Sequence, residues 1–292
     1  MSVLLCDSNC ELWFDRAEEL GLNYISMPYC YEGQEYGYDL GKQTDFKKFY
    51  ASVRGGTVPK TMALNPENYK DILTPYFADG EDVLYVSFSH AMSGTFNQLQ
   101  TALDELKLQF PNRKCTVFDT KSISLGAGIQ VEAAAEMKKN GASDGEIIEF
   151  LKNFTERVCV YFVVDDLMHL KRGGRLSGTA AFAGTVLSLK PMLTTDAKGG
   201  LAVCEKILGR KKAIRTLADR AAKLLTDTSY PVYVVDADCK EDGDALAAII
   251  SERRPDAKIK RQTVGPVIGS HCGPGTLGII FIGDERPISI GE

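Results

Sequence analysis

The feature that most constrains this chain is an alternation of short apolar runs with segments of helical spacing. Residues 3–6 read as a buried strand, and residues 11–20 follow with Leu12, Ala17 and Leu20 at helical intervals. Residues 22–27 are a second strand candidate. A clear strand at residues 82–87 leads through a polar turn into a helix reaching about Phe110, with Phe96, Leu99, Leu103 and Leu106 on one face. Residues 115–118 form a strand ending at Asp119, and residues 126–139 and 144–156 read as helices. This β-then-α order predicts a parallel sheet with helices on both faces.

Between these units, residues 28–43 are rich in Tyr and Gly and predict an irregular connection or hairpin. Thr44 is expected to cap a helix that turns Phe46, Phe49, Tyr50 and Val53 inward and stops at Gly55-Gly56. Asn65-Pro66 begins the next helix, with Tyr69, Ile72, Leu73 and Tyr76 as its buried stripe.

The pattern changes after Val158. A strand at 158–164 and a short helix at 165–170 precede a Gly-rich basic turn, Lys171 to Arg175. Residues 189–193 and 201–204 flank Asp196-Ala-Lys-Gly-Gly200, which predicts a hairpin. A basic amphipathic helix at 209–225, a strand at 232–236, a helix at 243–252, and strands at 259–264 and 278–282 around the turn Gly273-Pro-Gly275 complete the chain. The expected fold class is α/β. An N-terminal Rossmann-like parallel-sheet domain (1–157) precedes a second α/β domain with a mixed sheet (158–292).

Charge and composition narrow the function. The formal net charge of −5 does not steer the chain onto nucleic acid or anionic membranes. No stretch approaches the ~18–20 apolar residues of a membrane span, and the first residues lack a basic leader, so a soluble cytoplasmic protein is expected. The 8 cysteines contain no CxxC pair and there is no HxxxH, which favours reduced, buried thiols over disulfides or a metal. No GxxxxGK[ST] occurs and Gly126-Ala-Gly128 lacks a third glycine in place, so nucleotide binding is disfavoured.

Four places could carry chemistry. Ser87-Phe-Ser89-His90-Ala-Met-Ser93-Gly94-Thr95 joins a strand end to a helix start, where free N–H groups suit an anion; the plainer account is that Ser93 only caps the helix. Thr61 alone is a loop threonine. His271, beside Gly273-Pro-Gly275, is a positioned donor or a histidine with no role, and the residues do not decide between them. Lys171-Arg172-Gly-Gly-Arg175-Leu-Ser177 combines close backbone approach with two guanidinium groups suited to a carboxylate or phosphate, against the commoner case of a solvated basic turn.

Together these segments resemble the DegV family from end to end. The resemblance rests on Asp7-Ser8, Thr61, Ser89 to Thr95, Asp119 to Ser122, Asp165-Asp166-Leu167, Lys171 to Arg175, Lys190-Pro191 and His271 to Gly275. It implies a non-enzymatic protein without cofactor or metal that binds one long-chain fatty acid such as palmitate, stearate or oleate. In the FakB-like members it also implies presentation of that acid to a separate fatty acid kinase, which makes an acyl phosphate for phospholipid synthesis. The resemblance maps the carboxylate anchors to Thr61, Ser93 and His271, and the arginine implicated in phosphate handling to Arg175, with Arg172 near enough to share that role. One departure is visible: the family's first motif usually reads Thr-Ser followed by a Gln-Pro-like pair, and here it reads Thr61-Met62-Ala63-Leu64-Asn65-Pro66. Phe96, Leu125 and Ile129 are candidates for the tail lining, though plain core positions describe them as well. Two rival readings remain. One is an acyl hydrolase using Ser93 or Ser89 with His271 and Asp119, which the absence of a GxSxG elbow disfavours. The other is a sensor whose bound lipid only signals its state.

Overall fold

The computed structural model describes residues 2–176 and 189–286; Ser177 of the basic turn lies outside them. In the first half the elements are β1 (Ser2–Asp7), α1 (Phe14–Glu19), β2 (Asn23–Ile25), β3 (Pro28–Tyr31), β4 (Gln34–Gly37), α2 (Phe46–Arg54), β5 (Lys60–Thr61) and α3 (Pro66–Ala78). They continue as β6 (Asp82–Ser87), α4 (Thr95–Gln109), β7 (Cys115–Asp119), α5 (Leu125–Lys139) and α6 (Asp144–Thr155). The second half holds β8 (Val158–Val163), α7 (Met168–Arg172), β9 (Leu189–Thr195), β10 (Leu201–Leu208), α8 (Arg210–Leu224) and β11 (Val232–Asp236). It ends with α9 (Lys240–Arg253), β12 (Ile259–Thr263), α10 (Pro266–Cys272) and β13 (Leu277–Ile282).

Three sheets result. The first is parallel, in the order β2-β1-β6-β7. Its central strands end at Asp7 and Ser87, and the loops after them contribute Asn9, Phe88 and Ser93 to the cavity described below, beyond the carboxyl ends of a parallel sheet. The second is mixed, in the order β10-β9-β8-β13-β11-β12. Its inner strands β8, β13 and β11 read as near-continuous apolar runs because both faces are covered. Along β8, Val160 and Phe162 join the core shared with the first half, while Cys159, Tyr161 and Val163 join the core under α8 and α9. The third is a small ribbon, β4-β3-β5, whose hairpin turns at Glu32 and Gly33, both at positive φ (52° and 75°). It holds Thr61 opposite Tyr29.

Helix α5 packs between the two larger sheets, against β1 and β6 on one side and β8 and β13 on the other. Leu125 to Ala135 are all buried, so this helix is apolar nearly all round. Gly128 allows the close approach: a Cβ there would lie 2.4 Å from the Cys10 carbonyl oxygen. The buried polar groups on α5 are matched. Gln130 bonds the Thr120 and Gly126 carbonyls and Thr155, and Glu132 meets Arg16 and the Tyr233 hydroxyl.

Several boundaries differ from the sequence reading. Residues 8–10 form a 3₁₀ turn and α1 starts only at Phe14. Asp45, not Thr44, caps α2 by accepting from Lys48 N–H at 2.9 Å, while Thr44 donates to Asp39; a carboxylate is the stronger acceptor for the free N–H groups. The short helix after β8 covers Met168–Arg172 instead of 165–170. The expected turn between β12 and β13 contains a whole helix, α10, opened by Pro266 in its first turn.

Glu11 links the halves. Its buried carboxyl accepts from Ser124 and from Gly265 N–H at the start of α10. Burial, against those two hydrogen bonds, raises its pKa from 4.5 to about 8. Between those two values the folded protein keeps a proton that the unfolded chain releases. Stability contributed by this group is therefore full below the lower value and lost as pH rises through the upper one. His271, whose pKa burial lowers from 6.5 to about 4, opposes this trend below pH 6.5, so we expect urea-unfolding free energy to fall between pH 6.5 and 8 with a slope of at most ~1.4 kcal/mol per pH unit from Glu11. Glu11→Gln should flatten that decline; an unchanged slope in the variant would rule out Glu11 as its source.

Candidate functional site

A largely apolar cavity lies between α5's N-terminal end, the mixed sheet and α10. Met27, Phe88, Ile123, Val160, Phe162 and Ile280 contribute to its wall, and the space between its lining atoms, mouth included, is about 1010 Å³. Thr61, Ser93, Arg175 and His271 are four polar residues on this wall.

Each of the four is positioned by a different element. Thr61 ends β5, fixed by its pairing with β3 and by the bond from Met62 N–H to the Pro28 carbonyl at 3.1 Å. Ser93 follows a 3₁₀ turn (His90–Met92) at the mouth of α4, where Gly94 is the N-cap. Its hydroxyl oxygen accepts only a long contact of 3.4 Å from Thr95 N–H. The cap account of Ser93 is thus weak, and the hydroxyl proton is free to be donated. Thr95 ties this turn to the Thr61 segment, bonding Leu64 N–H at 3.2 Å and the Tyr69 hydroxyl at 2.9 Å. His271 sits on the last turn of α10, whose approach is held by Tyr50 donating to the Val264 carbonyl at 2.7 Å.

Thr61 Oγ1 and His271 Nε2 lie 2.8 Å apart. Burial, and after it the nearby Arg175 charge, push the His271 pKa down to about 4. The ring is therefore neutral at pH 7, and its buried Nδ1 has no hydrogen-bond partner among the described residues. Gly173 lies directly against it: a Cβ there would be 2.2 Å from Nδ1. Arg175 is reached through Gly174 at φ 68° and is held by carbonyls, donating from Nε to Met92 O at 3.1 Å and from Nη1 to Gly173 O. No carboxylate among the described residues pairs with it, so its charge is available to an anion. Arg172 is exposed on α7 and outside the cavity wall.

Arg175, Ser93 and Met92 also border a second, more open groove outside the cavity, with His90, Phe96 and Gln100. The cavity and this groove therefore adjoin at Met92, Ser93 and Arg175. Phe96 belongs to this outer groove, where it stacks on His90 with ring centroids 3.9 Å apart; Leu125 and Ile129 are fully buried core.

The hydrolase constellation is not assembled. His271 meets Thr61, Ser89 donates to the Gly199 carbonyl at 2.8 Å, and Asp119 bonds the backbone N–H groups of His90 and Lys121. His90 does contact a serine, Ser87 at 2.9 Å, but Ser87 is fully buried and also bonds the Phe118 carbonyl. The wall residues that sequence reasoning missed include Asn9, Met27 and Ser124. No local motif marks them, because each reaches the cavity through chain folding alone.

Fold and site together define an α/β protein with a largely apolar cavity lined also by Thr61, Ser93, His271 and an arginine, Arg175, that no carboxylate among the described residues pairs with. The family model described as "Uncharacterised protein, DegV family" matches residues 2–284, and the chain belongs to the DegV family. A DegV domain-containing protein of Clostridium perfringens is 36% identical over 285 residues, covering 97% of this chain and 98% of that one. Among solved structures, DegV of Bacillus subtilis, described as a fatty acid binding protein, is 30% identical with TM-score 0.80, covering 96% of this chain and 98% of that one. A DegV family protein of Thermus thermophilus, described by its fatty acid binding, is 29% identical with TM-score 0.82, covering 96% and 99%.

The contact between Gly173 and the imidazole gives a direct check. In the wild type the His271 ring signals should titrate near pH 4. Gly173→Ala places a methyl where Nδ1 lies, so the ring must shift toward solvent and its midpoint should rise toward the ordinary histidine value. An unmoved midpoint in NMR titration would show that the ring is not held as described.

Proposed function

We propose that this protein binds one long-chain fatty acid, with the tail in the cavity and the carboxylate at Thr61, Ser93 and His271. The proposal continues that it presents the acid to a separate fatty acid kinase for acyl-phosphate formation. The observation that carries the reading is the contact of Thr61 with a neutral His271 on the wall of a largely apolar cavity that Ser93 also lines. The Bacillus and Thermus relatives, described as binding fatty acids, support it.

The energetics agree. Each buried methylene contributes ~0.8 kcal/mol, so ~12 of them supply about 10 kcal/mol gross, against an association cost of ~4–15 kcal/mol. The balance requires a cavity formed in advance. A carboxylate cannot enter such a cavity bare. The Ser93 hydroxyl, and the proton of the Thr61–His271 pair that is not used between them, are charge-assisted donors to it. A neutral His271 keeps the anchor from becoming a full ion pair, so a carboxylate oxygen stays nucleophilic.

Arg175 then has a separate task. It stands between the cavity and the outer groove and would offset charge as a phosphoryl group arrives. Exposed Arg172 could assist only from the protein surface. The two halves, 1–157 and 158–292, would act jointly, since Thr61 and Ser93 come from one and His271 and Arg175 from the other. A nucleotide-dependent partner places this work in the cytoplasm, which suits eight free cysteines. No described helix is long and apolar enough to cross a membrane.

Mass spectrometry of lipid extracted from the purified protein should find a long-chain fatty acid; a nucleotide in its place would overturn the reading. Ser93→Ala and His271→Ala should each weaken fatty-acid binding by ~1.5–3 kcal/mol, the worth of one donor to a charged acceptor, with melting temperature little changed. Unaltered calorimetric affinity in both would remove the anchor. Arg175→Ala should leave affinity intact and slow phosphorylation by a cognate kinase; normal transfer kinetics would remove its role.

A further inference from the structure

Two short helices, α7 and α10, each stop at a glycine, and each glycine is covered by a histidine of the other helix. α7 stops at Gly173, where a Cβ would lie 2.2 Å from Nδ1 of His271 on α10. α10 stops at Gly273, φ 74°, where a Cβ would lie 2.4 Å from Cδ2 and 2.7 Å from Cγ of His169 on α7. Both rings therefore rest directly on a glycine Cα, an approach that any side chain would block. The first half of this pairing belongs to the site described above. The second half does not: His169 is half-buried and lies off the cavity wall. Among the described residues its ring has no hydrogen-bond partner. Burial lowers its pKa below the ordinary histidine value, opposed by Asp166 and aided by Arg172, so the ring is uncharged at pH 7.

This contact reaches the headgroup residues through the backbone. α7 has five residues and α10 seven, too few for either to be held by its own hydrogen bonds. Their mutual placement comes from contact. α7 closes with Arg175 N–H on the Leu170 carbonyl at 3.1 Å and Gly174 N–H on the Lys171 carbonyl at 3.0 Å, the paired bonds of a Schellman turn. Gly173 and Arg175 therefore move with α7 as a unit. What seats α7 on α10 also fixes the surface that Gly173 lays against the imidazole. On the other helix, Gly273 follows His271 by two residues, so a ring pressed on it settles where the last turn ends.

We propose that His169 is a positioning residue for the headgroup site: its ring, seated on Gly273, locks α7 to α10 and thereby holds His271 in line with Thr61. The consequence for binding rests on the fatty-acid reading above, while the seating of the ring is independent of it. The role is one of shape, requiring a flat uncharged ring and neither of its nitrogens.

The chain has 3 histidines, so each ring can be followed by NMR. In the wild type an NOE between His169 Hδ2 and the Gly273 α protons is expected; its absence overturns the proposal without any variant. In His169→Ala the His271 midpoint should rise from about 4 toward the ordinary histidine value. Calorimetric affinity for stearate should fall roughly tenfold or more, the loss of one donor to a charged acceptor. His169→Phe, which restores a flat ring without nitrogen, should return both readings to those of the wild type. An unmoved midpoint in His169→Ala overturns the proposal, and so does a His169→Phe protein that behaves like His169→Ala. If the midpoint moves and stearate affinity does not, His271→Ala separates the causes. Weakened binding there keeps the anchor and removes the positioning role; unchanged binding removes the anchor, and this proposal with it. If the wild type binds no stearate, the fatty-acid reading falls, and the NOE and midpoints alone decide whether His169 locks the two helices.

Discussion

The hydrogen bond between Thr61 and His271 joins residues 210 positions apart, and the site depends on it. One partner ends the two-residue edge strand of the small ribbon; the other rides the last turn of a seven-residue helix between strands of the mixed sheet. Neither element is stable alone, since a strand of two residues and a helix of seven gain little from local hydrogen bonds. Their placement is imposed by packing. Tyr50 reaches from α2 to the Val264 carbonyl, and Glu11 reaches from the loop after β1 to Gly265 N–H. Both contacts fix the start of α10 against the first half and thereby aim His271 at Thr61.

The same packing settles the protonation state. Burial and the neighbouring Arg175 charge both disfavour the imidazolium, so His271 is a neutral ring at working pH. Arg175 is kept nearby but turned onto carbonyl oxygens, away from direct contact with the imidazole. A cavity that ended in an arginine would lock an anionic headgroup in a tight pair. One that ended in apolar residues would reject it. The arrangement here lies between these extremes, and the cation stands at the border of cavity and outer groove where a second anion would approach.

The layered architecture was legible because its signals are strong and repeated. β1, β6, β7, β8, β11 and β13 are apolar runs of five or six residues, and the helices between them carry clear periodicity. The pieces that carry the site were not. α10 is short, contains glycine at 269 and ends at Gly273, so its composition resembles a turn; only Pro266 hinted at a helix start. The distinction between Arg172 and Arg175 depends on α7 ending at Gly173 and on the left-handed Gly174, which turns the chain so that one guanidinium faces solvent and the other the mouth. Thr61, Ser93 and His271 could be grouped only through likeness to a family. Strand pairing brings Thr61 beside Tyr29, and helix packing brings His271 to it; neither is encoded locally. Asn9 carried no signal at all, because a polar residue after a strand ordinarily marks a surface turn.

Met62 shows how the departure from the family pattern is accommodated. Where the family usually has a second hydroxyl, this chain has a thioether on the cavity wall, half-buried, with its backbone N–H already committed to the Pro28 carbonyl. Substituting sulfur for hydroxyl removes one donor from the mouth and adds flexible apolar surface. A carboxylate bound as proposed would then meet fewer donors, and Ser93, whose hydroxyl has among the described residues only the long contact from Thr95, would be the donor least committed elsewhere. The balance between tail and head shifts accordingly. If the proposed acid binds there, a larger share of the binding would come from apolar contact along the wall, and the fit of the chain to that wall would be a greater part of what selects it.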